Sequence, residues 1–228
     1  MEQETAFTPA TREACSEMHE RVAGLLKDSG HVRVLEIGCG TGNKLAELAE
    51  RFPNAEFTGV DISARNIAAA KTHYAPVQWH ISDYLAFDGG IFDIIAARSV
   101  FQYIQNSDAV LAQKLASDIR PSGVIVAELP YDCVWNRCLI VLRRNLLRLR
   151  SPQTDAALLR IAALLYRDCS RAALASRLEY FFLPTHRLSG PKLDIRMARA
   201  GLAAAERHQT RSSSIAVLRH ELVIFKRN

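Results

Sequence analysis

Residues 34–43 read VLEIGCGTGN: a short apolar run, three glycines at alternate positions, then a return to helical spacing. A buried strand that ends in a glycine turn and opens into a helix constrains the fold more than any other segment. In an open parallel sheet, ligands bind beyond the carboxyl ends of the strands, where strand order reverses. A turn at that point must let backbone approach the ligand, and Gly38, Gly40 and Gly42 allow this because they carry no Cβ. The turn alone is not specific. Dinucleotide-binding folds use a related GxGxxG pattern.

The flanking sequence continues the same architecture. Helical spacing of Ala14, Met18, Val22, Leu25 and Leu26 predicts a helix over 10–28, with Gly30 after it. VRVLEIG is β-branched and apolar, as a strand covered on both faces should be. Helical spacing over 43–51 stops at Pro53 and Asn54. AEFTGVDI, VQWHI, IFDIIAARS and GVIVAEL follow as strands, with helices over 64–73 and 107–118. The connection between the third and fourth strands has no clear helix. Alternation of strands and helices implies one mostly parallel sheet. Near the C-terminus a helix over 191–200 lies between Pro191 and Gly201, and two adjacent strands follow. Residues 131–190 exceed what such a sheet needs. Trp135, Leu139, Leu142, Leu146 and Leu149 form an apolar stripe, Ser151 and Pro152 stop that helix, and a second starts near Asp155. The chain of 228 residues is expected to be one α/β domain, with 131–190 as a helical insertion covering the site.

Two acids narrow the ligand. Asp61 ends the second strand, about 20 residues past the glycine turn, where a carboxylate can accept ribose hydroxyls. Asp83 follows the third strand. With the GxGxG spacing and Glu36 ahead of it, these residues resemble the cofactor site of class I S-adenosylmethionine-dependent methyltransferases. The resemblance covers residues 32–128 well and 191–228 loosely. It implies a Rossmann-like, seven-stranded, mostly parallel sheet closed by an antiparallel hairpin, and S-adenosylmethionine as cofactor. It implies that Gly38, Cys39, Gly40 and Gly42 hold the methionine part near Glu36, and that Asp61 holds ribose. Ile62 would pack on adenine, Asp83 and the Tyr84 backbone would bind its polar edge, and Arg98 would border the cofactor.

The acceptor side is read from the segments after the fourth and fifth strands. ARSVFQYIQN is similar to the corresponding region of trans-aconitate-type methyltransferases, and the family includes ubiquinone-biosynthesis enzymes. Ser99, Gln102, Tyr103 and Tyr131 are therefore candidate acceptor contacts, and Phe101 and Tyr103 could equally pack the next helix. A sulfonium methyl is already activated, so placing a nucleophile in line is the main requirement. A base is needed only when the acceptor loses a proton. His186, His19 and Asp132 are the candidates for that base, and Arg187 beside His186 is a candidate anion contact. His73, His80, His208 and His220 read as surface or strand-edge residues. No NPPY-like tetrapeptide follows the fourth strand, which speaks against adenine or glutamine amide nitrogen as acceptor.

Composition bears on partners. Five cysteines match no disulfide framework or zinc pattern, so no metal is expected and a reduced, cytoplasmic chain is. The N-terminal sequence carries acids early and no apolar core, so no signal peptide is expected. The net charge of +5 is partly concentrated in residues 137–150, where five arginines occur without an acid. That basic amphipathic helix reads as a lid with a solvated face, as a peripheral membrane contact, or as a phosphate contact. Nucleic acid ranks below small molecules because no aromatic platform is interleaved with the basic run. The expectation is methyl transfer to a small molecule by a monomer or homodimer, with oxygen ranked first and carbon and nitrogen open. The alternatives are an RNA or protein methyltransferase docking through residues 137–150, and a protein that binds S-adenosylmethionine without catalysis.

Overall fold

The computed structural model describes residues 17–27, 30–72, 76–165, 174–175, 178, 181–210 and 218–227. Among the described residues, seven strands form one sheet. They are β1 (Arg33–Ile37), β2 (Glu56–Asp61), β3 (Val77–Ile81), β4 (Phe92–Arg98), β5 (Ile119–Pro130), β6 (Leu202–Gln209) and β7 (His220–Arg227). Their order is β3-β2-β1-β4-β5-β7-β6. The first five run parallel, and β7 is antiparallel to both β5 and β6. The chain builds outward from β1 in one direction, then returns to start β4 on its other side. That reversal makes the β1–β4 boundary the switch point, and the glycine turn leaves from there.

Helices cover both faces. They are α1 (Glu17–Leu26), α2 (Asn43–Arg51), α3 (Ala64–Ala70), α4 (Asp108–Asp118), α5 (Val134–Arg148), α6 (Pro152–Leu165) and α7 (Pro191–Arg199). Alternation along β1 sends Val34 to one core and Leu35 and Ile37 to the other. The first core holds Met18, Val22 and Leu26 of α1, Leu45 and Leu48 of α2, and Phe57. The second holds Phe92, Ile95, Leu111 and Leu115 of α4, Met197 of α7 and Phe225. Both faces being covered explains why the parallel strands are apolar throughout.

The expected elements are present, with differences. The connection between β3 and β4 carries a single 3₁₀ turn, Tyr84–Ala86, with Asp83 as its N-cap. Strand β5 starts at Ile119 rather than near Gly123, because Ile119 pairs with Phe92 across a register shift. Helix α6 starts at Pro152, ahead of the expected Asp155. Proline suits a first helical turn, and Ser151 and Thr154 cap each other's backbone N–H at 3.2 and 2.7 Å. The expected stripe on α5 is not its packing face: Leu139 is buried, but Leu142 and Leu149 are exposed, and the other buried residue is Asn136. Residues 10–16 of the first expected helix, and parts of 131–190, lie outside the described residues. No helix among the described residues is long and apolar enough to cross a membrane.

Candidate active site

Register places the functional residues at one edge. Ile37 lies beside Val60 and Ala97, Asp61 beside Ile81, Arg98 beside Glu128, and Pro130 beside His220. Because β7 is antiparallel, its first residue reaches the same edge as the last residues of the parallel strands. The glycine turn, Asp61, Asp83, Arg98, Ser99, Tyr131 and His220 are thus gathered along the carboxyl ends.

Gly38, Gly40 and Gly42 adopt φ of 68°, 57° and 75°, a region that L side chains enter at a cost. The N–H groups of Gly38 and Cys39 both donate to the Val60 carbonyl, at 2.7 and 3.2 Å. Gly40 donates to Asp61 Oδ2 at 3.0 Å. A Cβ on Gly38 would stand 2.2 Å from Val100 Cγ2, so the segment after β4 presses directly against the turn. Asp61 Oδ1 accepts from Ser63 N–H at 2.8 Å and from Asn66 Nδ2 at 3.3 Å. Asp61 is therefore held by three donors and braces the turn. The Gly38, Cys39 and Gly40 N–H groups are thus spent inside the protein.

Ile62 is 73% exposed immediately beyond Asp61, an apolar surface beside a fixed carboxylate. Asp83 is exposed, and its Oδ1 accepts from the Leu85 N–H at 2.8 Å. Tyr84 turns inward and its hydroxyl donates to Asp118 Oδ2 at 3.0 Å. Burial pushes its pKa far up, so Tyr84 offers a ligand backbone only. Burial likewise pushes the Cys39 thiol up, with Glu36 and Asp61 adding to the shift. That leaves Cys39 a neutral thiol in the turn.

Glu36 and His19 meet: His19 Nε2 donates to Glu36 Oε1 at 3.1 Å, and both are buried. The pair ties α1 to the end of β1. The Nε2 of His19 is thus engaged by Glu36, beside the glycine turn.

A second polar cluster lies past β4. Arg98 Nε stands 3.3 Å from Glu128 Oε2. Burial raises the Glu128 pKa and Arg98 opposes that shift. Ser99 is the one non-glycine with positive φ, 53°, among the described residues. Such strain persists where surrounding structure holds it; here Ser99 N–H donates to the Glu128 carbonyl at 2.7 Å. Ser99 Oγ is 3.1 Å from His220 Nε2, and His220 Nδ1 is 2.7 Å from the Leu218 carbonyl. A carbonyl only accepts, so Nδ1 carries the proton and Nε2 accepts from the Ser99 hydroxyl. Burial pushes the His220 pKa down to about 4, with Arg98 and Arg143 contributing, which keeps the ring neutral. The sequence pattern makes His220 a strand-edge residue without a role. The antiparallel direction of β7 is the signal that places it here.

The other expected residues divide. Asp132 is bound by Arg137 through two bonds of 2.5 and 2.7 Å. The Arg137 guanidinium holds its carboxyl below the usual range, so Asp132 is poorly suited as a general base. His186 is exposed, and its backbone N–H donates to the Gln102 carbonyl at 2.8 Å. Gln102 is buried with its Oε1 lacking a hydrogen-bond partner among the described residues. Tyr103 is half-buried, and burial raises its pKa. The Tyr131 carbonyl accepts from Asn136 Nδ2 at 2.7 Å. Asn136, which no sequence motif marks, also donates to the Arg219 carbonyl at 2.8 Å and accepts from the Arg219 N–H at 2.8 Å. It staples α5 to the entry of β7.

Arg187 is spent inside the protein. Its guanidinium is buried on Asp108 at 2.9 Å and on the carbonyls of Phe101, Ile104 and Asn106. It holds the segment after β4 in shape. Arg187→Gln is expected to lower stability by about 2 kcal/mol, read by urea unfolding, because buried carbonyls lose a charged donor. Binding of S-adenosylhomocysteine by the folded variant should change far less.

Residues 34–123 match the family described as methyltransferase domain. The chain is 36% identical over 102 residues to a trans-aconitate 2-methyltransferase of Azoarcus sp., covering 43% of this chain and 40% of that protein. It is 34% identical over 120 residues to a ubiquinone biosynthesis O-methyltransferase of Rhodopseudomonas palustris, covering 50% of this chain and 46% of that protein. Residues 34–123 thus resemble a methyltransferase domain. The matched part spans less than half the length of these relatives. In fold, the chain is similar to magnesium protoporphyrin IX methyltransferase of Synechocystis, whose structure has S-adenosylhomocysteine bound. That likeness has a TM-score of 0.60 at 16% identity, over 95% of this chain and 85% of that one. The residues present fit such a cofactor. A turn with glycine at alternate positions, a braced carboxylate, an exposed apolar residue beside it and a second exposed acid stand in one row.

Proposed function

We propose that the methyltransferase domain moves a methyl group from S-adenosylmethionine to a small-molecule acceptor, with oxygen as the receiving atom. The observation that carries this reading is the Ser99–His220 pair beside the glycine turn. Ser99 gives its hydroxyl hydrogen to His220 Nε2, so the lone pairs of Oγ are left for a donor such as an acceptor hydroxyl. The unpartnered Oε1 of buried Gln102 offers a second acceptor for the same class of group. The trans-aconitate and ubiquinone-biosynthesis relatives support a small molecule as substrate.

Bound over the turn, the cofactor supplies a methyl already activated as a sulfonium. The chain's part is to bind and to orient. In this reading Asp61 would serve the ribose hydroxyls, Ile62 an adenine face, and Asp83 an adenine amino group. Glu36, held by His19, puts negative charge by the turn, where a cationic amino end would lie. Ser99, fixed by His220, would aim an acceptor hydroxyl in line with the methyl, and the proton that hydroxyl loses would pass to Ser99 Oγ as the Ser99 hydrogen moves onto His220 Nε2. The strained Ser99 backbone keeps that hydroxyl at the mouth of the site.

Incubation with methyl-labelled S-adenosylmethionine and a cell extract tests this. Protein-dependent label should appear in the low-mass fraction and be competed by S-adenosylhomocysteine. Label confined to RNA or protein would overturn the acceptor class. Binding of S-adenosylhomocysteine with no label transferred would leave a cofactor-binding protein.

A further inference from the structure

Helices α5 and α6 expose what a self-contained lid would cover. Strand β5 ends at Pro130 and α5 starts at Val134, so the pair leaves directly from the active edge. Of the fifteen residues of α5, two are buried. None of the described residues of α6 is buried. Val134 is 77% exposed, Leu149 68% and Leu164 71%, and Val141, Leu142 and Ile161 are each more than half exposed.

These residues are ordered on the surface. Val134, Val141 and Leu149 recur at steps of seven and eight, which keeps them on one face of α5. Arg137, Arg144 and Arg148 recur at seven and four on the adjoining strip. The inward side is that of Asn136, Leu139 and Arg143, where the Arg143 guanidinium lies over Phe181 at 4.6 Å. Arg150 lies over Phe182 at 4.8 Å and also engages Asp155. Arg144, Arg148 and Arg160 are exposed.

Charge selects the partner. Residues 134–165 hold six arginines and one acid, a surplus equal to that of the whole chain. The rest of the protein is balanced. We propose that the α5–α6 face docks on an anionic membrane surface, its apolar strip entering the headgroup boundary and its arginines meeting lipid phosphates. An interfacial helix of this composition gains from both buried apolar area and attraction to anionic lipid. A second copy of the chain fits less well, because two such faces bring like charge together. Nucleic acid would use the arginines but not the exposed valines and leucines. The proposal does not depend on the methyl-transfer reading. Its consequence for the site comes through Asn136, which ties the first turn of α5 to Tyr131 and Arg219. A seated α5 would hold the acceptor side of the cleft at the lipid–water boundary.

Co-sedimentation of the full chain with vesicles tests it. Vesicles of phosphatidylglycerol mixed equally with phosphatidylcholine should carry the protein down, and vesicles of phosphatidylcholine alone should do so weakly. The pairs Val141→Asp with Leu149→Asp, and Arg144→Glu with Arg148→Glu, should each reduce binding about tenfold or more. Both pairs lie on exposed positions and should leave S-adenosylhomocysteine affinity unchanged, which shows that the variants fold. Failure to bind the mixed vesicles overturns the proposal, as does full binding by either pair. Dimerisation abolished by Leu149→Asp, with no vesicle binding, would assign the face to a second copy. Tighter binding to polyuridylate than to vesicles, insensitive to the Val141 and Leu149 changes, would assign it to nucleic acid.

Discussion

Asp61→Ala is expected to lower affinity for S-adenosylhomocysteine by about a hundredfold or more, measured by calorimetry. The carboxylate takes part in two tasks. It accepts from Gly40, Ser63 and Asn66, which fixes the glycine turn to the start of α3. It also stands at the end of β2, where the proposed ribose contact falls. Each hydrogen bond to a charged group contributes about 1.5–3 kcal/mol, so losing one ligand contact together with the brace reaches the stated magnitude. The two tasks can be separated. Asn66→Ala removes the longest of the three donor contacts and leaves the carboxylate with its proposed ligand contact, so it should weaken binding only about a few-fold. Equal loss in both variants would mean that the brace alone matters. Unchanged affinity in Asp61→Ala would remove Asp61 from the cofactor site altogether.

The difference between Asp61 and His220 explains what a sequence of this kind discloses. The parallel half of the sheet is written in local patterns, in which each strand is a short β-branched run and each helix a 3.6-residue repeat. The glycine turn, Asp61 and Asp83 sit at fixed positions relative to those runs, so chain order alone locates them. His220 is different. It comes to Ser99 from 121 positions away, and only the antiparallel pairing of β7 with β5 brings it there. Glu128 is likewise defined by the residue it faces, Arg98, and not by its neighbours in the chain. Arg187 shows the converse. A histidine–arginine pair suggests anion binding, but the guanidinium is consumed by three carbonyls and an aspartate that no local pattern could supply. Asp132 is poorly suited as a base for a still shorter-range reason. Helix α5 starts two residues later and puts Arg137 on it.

The turn itself offers the more severe test. Gly38→Ala should abolish measurable S-adenosylhomocysteine binding and lower stability by about 2–5 kcal/mol in urea unfolding. Two costs contribute. A non-glycine residue at φ 68° is strained by about 1–2 kcal/mol. The new Cβ would also stand 2.2 Å from Val100 Cγ2, an overlap that forces backbone or side chain to move, at about 1–3 kcal/mol. These costs respond differently to a second change. Val100→Ala removes the offending methyl and leaves the Val100 Cβ at 3.2 Å, a contact that a shift of a few tenths of an ångström relieves. The double variant should therefore recover the overlap cost but not the dihedral cost, ending about 1–2 kcal/mol below Val100→Ala alone. Simple additivity would show that the segment after β4 does not press on the turn. Coupling of the predicted sign would show that the residues after β4, Ser99 first among them, are held in place through Val100 by the turn proposed to receive the cofactor.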